Sequence, residues 1–225
     1  MVEEKKNEAN TQKEVEPIFL ASYPRSGNTY LRTILNQCFQ LKSASVYPYE
    51  MEGNKVLQNF VGHIPHTSKG QIPLVPFHNK PLLIKTHEVN CTDSKSIYVL
   101  RDARPVALSL YKFYNYKIPL EDVIKGNHRW GIWADHIKSW THDPSEKKLL
   151  LKYENLKDKL DESLIKISDF LNVEIHTTNI ESRDKMSDGH IINKETIPWE
   201  ERMEKRHLEL CTSINRIQLE KFGYV

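Results

Sequence analysis

The 225-residue chain has little cysteine, a small net charge and no long apolar run, and each shortage excludes a class of protein. Its three cysteines, Cys38, Cys91 and Cys211, are far apart and odd in number, which argues against a disulfide scaffold and predicts a reducing, cytoplasmic location. A net charge of +2 provides no overall field for a nucleic-acid partner, so we expect none. No stretch approaches the roughly 20 apolar residues of a membrane-spanning helix, so we expect no membrane partner. The polar N-terminus, residues 1–16, is predicted to be a disordered tail.

The chain has instead an alternation of short apolar runs and helical periodicities. The apolar runs that predict strands are 18–21, 82–85, 96–100 and 148–153. Apolar residues at helical spacing predict helices over about 29–41, after Asp102 with Pro105 in the first turn, and over 156–171. A last amphipathic helix is predicted near the C-terminus, with Leu210, Ile214 and Ile217 on one side. Strands that alternate with helices predict the α/β class. We expect one domain over residues 17–225, with a central parallel sheet covered by helices on both faces.

The turn after the first strand contains a glycine and leads directly into a helix. Such a turn directs backbone N–H groups and the positive end of the helix at one spot, which is an anion site. The ATP-binding version requires a lysine after its second glycine, and Asn28 stands there, after Gly27. The first glycine is replaced by Ser22, and the cation is Arg25. The loop therefore predicts an anion cradle without the ATP signature; an ordinary turn with a surface arginine is the alternative.

Two segments resemble motifs of one enzyme family. Tyr23-Pro24-Arg25-Ser26-Gly27-Asn28-Thr29-Tyr30 resembles the 5′-phosphosulfate loop of sulfotransferases that use 3′-phosphoadenosine-5′-phosphosulfate (PAPS). Arg101-Asp102-Ala103-Arg104-Pro105-Val106-Ala107-Leu108-Ser109 resembles their Arg-Asp-x-Arg-x-x-x-x-Ser element, and Tyr153-Glu154-Asn155-Leu156 is a weaker match. Two such matches in the right order are more specific than either alone. The chain is thus identified as a small soluble member of the PAPS-dependent sulfotransferases, with the P-loop, nucleotide-kinase-like fold, and the resemblance covers about residues 18–172.

The resemblance implies PAPS as donor, 3′-phosphoadenosine-5′-phosphate (PAP) as product, and no required metal. Arg101 and Ser109 would hold the 3′-phosphate, and Tyr30 stands where many relatives have a tryptophan on the adenine. The C-terminal basic motif of the family is absent as such, so Arg183, Lys185 and Lys194 stay open as substitutes. The donor-binding residues so implied are Arg25, Ser26, Gly27, Asn28, Thr29, Tyr30, Arg101, Ser109, Tyr153 and Lys194.

Lys85-Thr86-His87, at the end of the second predicted strand, resembles the family's Lys-Thr-His, whose histidine is the general base. His87 would accept the acceptor's proton near neutral pH, while Lys85 and Arg25 neutralise the leaving group. The expected reaction is in-line sulfuryl transfer from PAPS to a hydroxyl, or an amine, of a small-molecule acceptor. A P-loop small-molecule kinase that uses ATP and a non-catalytic nucleotide-binding relative are the alternatives. The acceptor and the oligomeric state stay open.

Other residues receive structural interpretations. The stretches 47–80 and 183–196 lack periodicity and are predicted to be irregular. Histidines in the first stretch, with no metal-ligand partner at suitable spacing, are expected to be solvated, although one could contact the acceptor. These histidines are His63, His66 and His78. The residues Trp130, Trp133, Ile137 and Trp140 recur at helical spacing and are predicted to be core, with Trp133 as an alternative acceptor contact.

Overall fold

The protein, seen in a computed structural model that describes residues 16–73, 80–90, 93–142, 145–181 and 197–225, is built around a parallel β-sheet. The strands are β1 (Ile18–Ser22), β2 (Ser43–Ser45), β3 (Leu83–Thr86), β4 (Ser96–Leu100) and β5 (Lys148–Lys152). They lie in the order β2-β3-β1-β4-β5, and every neighbouring pair is parallel. The predicted α/β class with a central parallel sheet is confirmed.

Helices cover both faces of this sheet. They are α1 (Asn28–Phe39), α2 (Lys55–Val61), α3 (Ala103–Phe113), α4 (Leu120–Lys125), α5 (Trp133–Thr141), α6 (Tyr153–Asp158), α7 (Leu160–Leu171), α8 (Trp199–Arg202) and α9 (Lys205–Lys221). Successive strand residues point to opposite faces, so Ile97 and Val99 of β4 pack with α1 and α7, whereas Tyr98 and Leu100 pack with α3, α5 and α9. Among the described residues, no helix is long and apolar enough to cross a bilayer.

The sequence prediction missed four short elements, the strand β2 and the helices α2, α4 and α8, of which β2 and α2 lie before β3. The strand β2 consists of small residues without apolar alternation, and it is held by pairing with β3, where Ser43 lies opposite Leu83. The helix α2 lies in the stretch predicted to be irregular. Asn54 caps it by accepting a hydrogen bond from the Leu57 N–H at 2.9 Å, and the helix buries a short apolar face. The prediction of irregular structure is therefore wrong for residues 55–61.

Three side chains lie where the sequence did not place them. Trp130 precedes α5 instead of sharing it, because the chain turns at Gly131, whose φ is 66°. Ile217 is 78% exposed, since α9 turns Cys211, Asn215, Gln218 and Leu219 inward instead. His63 is buried rather than solvated, and its Nδ1 accepts a hydrogen bond from Arg32 Nη2 at 2.8 Å.

Several predictions concern residues outside the described ranges. These are the tail up to residue 15, the irregular stretch 183–196 together with Arg183, Lys185 and Lys194, and the side chains of His78 and Cys91. The other two cysteines, Cys38 and Cys211, are buried and free.

The strand order decides which loops meet. The strand β1 lies between β3 and β4, and all three run in the same direction. The loops after the carboxyl ends of parallel strands share one edge of the sheet, where ligands bind in open α/β sheets. The Arg25 loop follows β1, His87 follows β3 and Arg101 follows β4, so all three predicted motifs meet at this edge.

Candidate active site

A cavity of about 1030 Å³ opens at this edge of the sheet and collects most of the predicted site residues. Ser26 is not among the lining residues: it is almost fully buried, and its hydroxyl has no hydrogen-bond partner within the described residues. Lys194 lies outside the described ranges. The predicted residues that line the cavity are Arg25, Gly27, Asn28, Thr29, Tyr30, Lys85, His87, Arg101, Ser109 and Tyr153.

The loop after β1 has a backbone that favours glycine and tolerates little change. Gly27 has a φ of 106°, and a Cβ there would lie 2.3 Å from Cδ2 of Tyr153. Arg25 also has a positive φ, 69°, which is uncommon for a residue with a side chain. Because α1 begins directly after Gly27, its first residues Asn28 and Thr29 line the same cavity, at the helix end that presents N–H groups without an intrahelical acceptor. The loop is therefore a compact cradle for an anion, closed on one side by the Tyr153 ring.

Asn28, which replaces the lysine of ATP-binding loops, is directed into the protein. Its Nδ2 donates to the Leu20 carbonyl at 2.9 Å and approaches the Ser22 hydroxyl at 3.3 Å. The side chain therefore closes the loop onto β1 and is not available as a phosphate donor. The backbone N–H of this residue still belongs to the cradle.

Two guanidinium groups lie close together at the loop. Arg25 Nε donates to Ser109 Oγ at 3.1 Å, and Arg101 Nη1 donates to the Arg25 carbonyl at 3.1 Å. Arg101 also lies over the Tyr153 ring, 4.4 Å from its centroid. Burial, and next the charge of Arg101, lower the pKa of Arg25. Two neighbouring, partly buried cations are stabilised by an anion between them, so the donor set fits a phosphate or sulfate group.

Arg101 is not held by the two carboxylates that follow it in the sequence motifs. Asp102 forms its ion pair with Arg104, at 2.6 Å. Glu154 accepts a hydrogen bond from the Tyr224 hydroxyl at 3.0 Å. The guanidinium of Arg101 thus lines the cavity and forms no ion pair with Asp102 or Glu154.

His87 is fixed in one tautomer. Its Nδ1 lies 2.8 Å from the Ser22 carbonyl oxygen, which only accepts hydrogen bonds, so Nδ1 carries the proton and Nε2 has the free lone pair. Its backbone N–H donates to the Tyr47 hydroxyl at 3.0 Å. Burial, followed by the charge of Lys85, lowers the pKa of His87 well below its usual range. The imidazole is therefore neutral at pH 7 and can accept a proton at Nε2.

Lys85 belongs to a buried charge network that the sequence did not reveal. Its Nζ lies 2.9 Å from Glu50 Oε1, and Arg32 Nη1 lies 3.2 Å from Glu50 Oε2. Burial opposes ionisation of Glu50, but Arg32 and Lys85 outweigh it and lower the pKa of this carboxyl to about 2. Glu50 therefore stays ionised and holds the ammonium group of Lys85 at the cavity wall. The only sequence signal was a carboxylate in a long stretch without periodicity.

An aromatic wall adjoins His87, made by two residues that sequence analysis did not assign to the site. The Tyr47 ring stacks on the imidazole with centroids 6.1 Å apart, and Trp130 meets it edge-on at 5.8 Å. Tyr47 and Trp130 contact each other at 6.0 Å. The ammonium group of Lys85 lies 4.4 Å from the Tyr47 centroid. The base, the lysine and the two rings thus form one continuous wall.

Comparison with known proteins agrees with these features. The family model described as "Sulfotransferase domain" matches residues 16–209. Sulfotransferase 1E1 of Rattus norvegicus is 26% identical over 174 residues, which cover 68% of this chain and 58% of the relative. Sulfotransferase 1B1 of Canis lupus familiaris is 27% identical over 209 residues, 80% of this chain and 69% of the relative. The chain therefore spans somewhat more than half of the first of these relatives.

Solved structures share the fold. Mouse sulfotransferase SULT7A1, crystallised with PAP, superposes with a TM-score of 0.64 at 20% identity, covering 95% of this chain and 90% of that one. Retinol dehydratase in complex with androsterone and PAP superposes with a TM-score of 0.62 at 18% identity, covering 90% and 80%. Since the family model covers most of the chain, the predicted family is confirmed: the chain belongs to the sulfotransferase family.

Proposed function

We propose that this protein transfers a sulfuryl group from PAPS to a hydroxyl, or an amine, of a small-molecule acceptor, without a metal ion. The observation that supports this most strongly is the neutral imidazole of His87, with Nε2 free, beside Lys85 in the same cavity as Arg25 and Arg101. A proton acceptor and an anion cradle in one cavity are what sulfuryl transfer needs. The solved relatives that were crystallised with PAP support PAPS as the donor.

The donor would be held at two ends. The loop from Arg25 to Thr29 would bind the 5′-phosphosulfate through backbone N–H groups and the Arg25 guanidinium. Arg101 and Ser109 would bind the 3′-phosphate, since the planar guanidinium suits phosphate oxygens. The same cavity is lined by Lys157 of α6 and Arg202 of α8, two cations that could complete the 3′-phosphate site in addition to, or instead of, Lys194. Tyr30 and Tyr153, whose rings meet edge-on at 6.2 Å, would flank the adenine.

The proposed reaction is a single displacement. The acceptor oxygen attacks sulfur, the bond from sulfur to the bridging oxygen breaks, and the acceptor proton passes to Nε2 of His87. Lys85 and Arg25 would neutralise the charge that develops on the phosphate leaving group, which supplies transition-state stabilisation in a partly dry site. The Tyr47 and Trp130 rings would form the wall against which the acceptor lies.

The kinase alternative is disfavoured by Asn28. ATP-binding loops need a lysine there that reaches the β and γ phosphates, and this asparagine is hydrogen-bonded to Leu20 and Ser22 instead. Calorimetric titration with PAP, and with ATP plus magnesium as the comparison, tests this directly. We expect PAP to bind and ATP to bind at least tenfold more weakly. Binding of ATP alone would refute the donor assignment and favour a kinase.

Replacement of the base tests catalysis separately from binding. His87→Ala is expected to abolish transfer to hydroxyl acceptors while the Kd for PAP stays within about twofold, because removal of a general base costs roughly 10²–10⁴-fold in rate. His176→Ala is a matched control, since that histidine is exposed and lies outside the cavity. If His87→Ala is as active as the control, His87 is not the base, and another group accepts the proton; if the wild-type protein binds PAP and shows no transfer, the non-catalytic alternative is favoured.

A further inference from the structure

The backbone carbonyl of His87 is held by a second, deeply buried histidine. His136 of α5 is 1% exposed, and its Nε2 lies 2.9 Å from the His87 carbonyl oxygen. A carbonyl only accepts, so Nε2 of His136 carries the proton and Nδ1 must be the acceptor. The Tyr98 hydroxyl lies 2.9 Å from that Nδ1 and donates to it. Burial lowers the pKa of His136 to about 4, so the ring stays neutral and both hydrogen bonds persist near pH 7.

His136 also contacts the residue at the start of the anion-binding loop. The Tyr23 ring packs edge-on against the His136 ring, with centroids 5.4 Å apart. Tyr23 is buried and directly precedes the Pro24–Thr29 loop. Tyr98 lies on β4, the strand that leads to Arg101, and its ring is 5.9 Å from His136. His136 therefore contacts the loop that would hold the donor and the residue that would take the proton.

Helix α5 holds the turn after β3 at further points. Trp140 Nε1 donates to the Glu88 carbonyl at 3.0 Å, and the Asn90 N–H donates to Ser139 Oγ at 3.1 Å. Of these three side chains, His136 bonds to the His87 peptide itself, whereas Trp140 and Ser139 bond to residues that follow it. Trp140 is also buried. It is therefore a suitable comparison, because its loss disturbs the same turn without releasing His87.

We propose that His136, oriented by Tyr98, is a positioning residue that keeps Nε2 of His87 aimed into the cavity at a constant place relative to the Tyr23–Thr29 loop. This inference rests on the proposed role of His87 as base. With the His136 donor removed, the His87 carbonyl is left buried without that partner, and the peptide can rotate and carry the imidazole with it. A misplacement of about 1 Å at a reacting group lowers the rate by about 100-fold.

The test compares four variants of the full chain. His136→Leu removes the donor, and His136→Gln keeps an N–H at the position of Nε2. Tyr98→Phe removes the hydroxyl that selects the tautomer of His136, and Trp140→Phe is the control. With PAPS as donor and 2-naphthol as hydroxyl probe, we expect kcat to fall about 30- to 100-fold in His136→Leu, with KM changed by less than about threefold. His136→Gln should recover most of the rate, and Trp140→Phe should retain it.

A second measurement does not depend on turnover. Nitrogen-15 NMR of the histidine rings reports the tautomer and the pKa of His87 in each variant. The other groups that act on this ring, Lys85, Glu50 and the carbonyl and hydroxyl of Ser22, are unchanged throughout the series. We expect His87 to lose its Nδ1–H preference, and its pKa to rise toward the usual value, in His136→Leu but not in Trp140→Phe.

The outcomes separate the two proposals. If the wild-type protein turns over 2-naphthol and His136→Leu keeps its kcat, or if the His87 tautomer is unchanged in that variant, the positioning role is refuted. If the wild-type protein transfers no sulfuryl group to 2-naphthol while the NMR change is seen, the proposed function fails for this class of hydroxyl acceptor and the structural coupling of His136 to His87 stands. If His136→Leu does not fold, the same two criteria apply to Tyr98→Phe, for which we expect a smaller loss of about threefold to tenfold.

Discussion

Gly27→Ala should damage the anion cradle far more than an alanine at another glycine with positive φ. Left-handed backbone costs a residue with a side chain roughly 1–2 kcal/mol, and this applies both to Gly27, with φ of 106°, and to Gly70, with φ of 71°. Only Gly27 adds a clash, since the new Cβ would lie 2.3 Å from Cδ2 and 3.0 Å from Cε2 of Tyr153. Carbon atoms in contact sit about 3.5–4.0 Å apart, so the Tyr153 ring must move by about 1 Å or more.

That movement has a consequence for binding, because Arg101 lies over the same ring at 4.4 Å. Hydrogen bonds to a charged group contribute about 1.5–3 kcal/mol each, so displacement of Arg101 should raise the Kd for PAP about 10- to 100-fold. Calorimetry with PAP and urea unfolding measure the two effects on the same samples. Gly70→Ala, where a Cβ meets no atom within 4 Å, should lower the free energy of unfolding but leave the Kd for PAP unchanged. Equal PAP affinity in the two variants would refute the proposed contact chain.

Three further predictions use the buried charges and rings. Glu50→Gln should lower the free energy of unfolding by about 3–5 kcal/mol, because Lys85 loses its buried partner. Glu121→Gln, in an exposed ion pair, should leave it unchanged in the same urea titration. A larger loss of unfolding free energy in Glu121→Gln than in Glu50→Gln would contradict the role of Glu50 as the buried partner of Lys85. The free energy of unfolding should fall as the pH drops from 6.5 to 4, because the pKa values of His63 and His136 are lowered to about 4 in the folded protein and the imidazoles of the unfolded chain bind protons first. A urea midpoint that stays constant over this pH range would contradict the burial of these two rings in the neutral form. The value of kcat/KM should stay level down to below pH 6.5, because the pKa of His87 is lowered, and a midpoint at or above 6.5 would contradict this.

Sequence reasoning succeeded where a local pattern determines the structure. The apolar run before the Arg25 loop, the helix after it and the strand before Arg101 each depend on residues adjacent in sequence, and all are present. The order of three such units then predicts one parallel sheet, because crossover connections permit few other arrangements. The roles of Lys85 and His87 were predicted from the resemblance of Lys85-Thr86-His87 to the family motif, and the pairing of β3 with β1 brings both residues beside the loop.

It failed where a contact joins distant segments through an irregular loop. Glu50 reaches Lys85, and Tyr47 reaches His87 across about 40 residues. Hydrophobic periodicity does not predict such long-range contacts. The conformation of this loop depends on β2 and α2, whose small or polar residues give no clear pattern in the sequence. His63 was misjudged for the same reason, since its buried partner Arg32 lies on α1.

Under the proposed function, the distribution of positive charge would make a lysine after Gly27 unnecessary. In an ATP-binding loop that lysine serves the phosphates from the same loop, whereas here cations arrive from the ends of three adjacent strands, as Arg25, Lys85 and Arg101. Each is held by a different neighbour: Ser109 for Arg25, Glu50 for Lys85 and the Arg25 carbonyl for Arg101. Lys85 is held separately from the other two cations, whereas Arg25 and Arg101 are linked through the loop, so loss of Lys85 should leave the contact between Arg25 and Arg101 in place. Under the proposed function, the neutral imidazole of His87 at the same edge of the sheet would accept the proton of the attacking acceptor while these cations hold the donor.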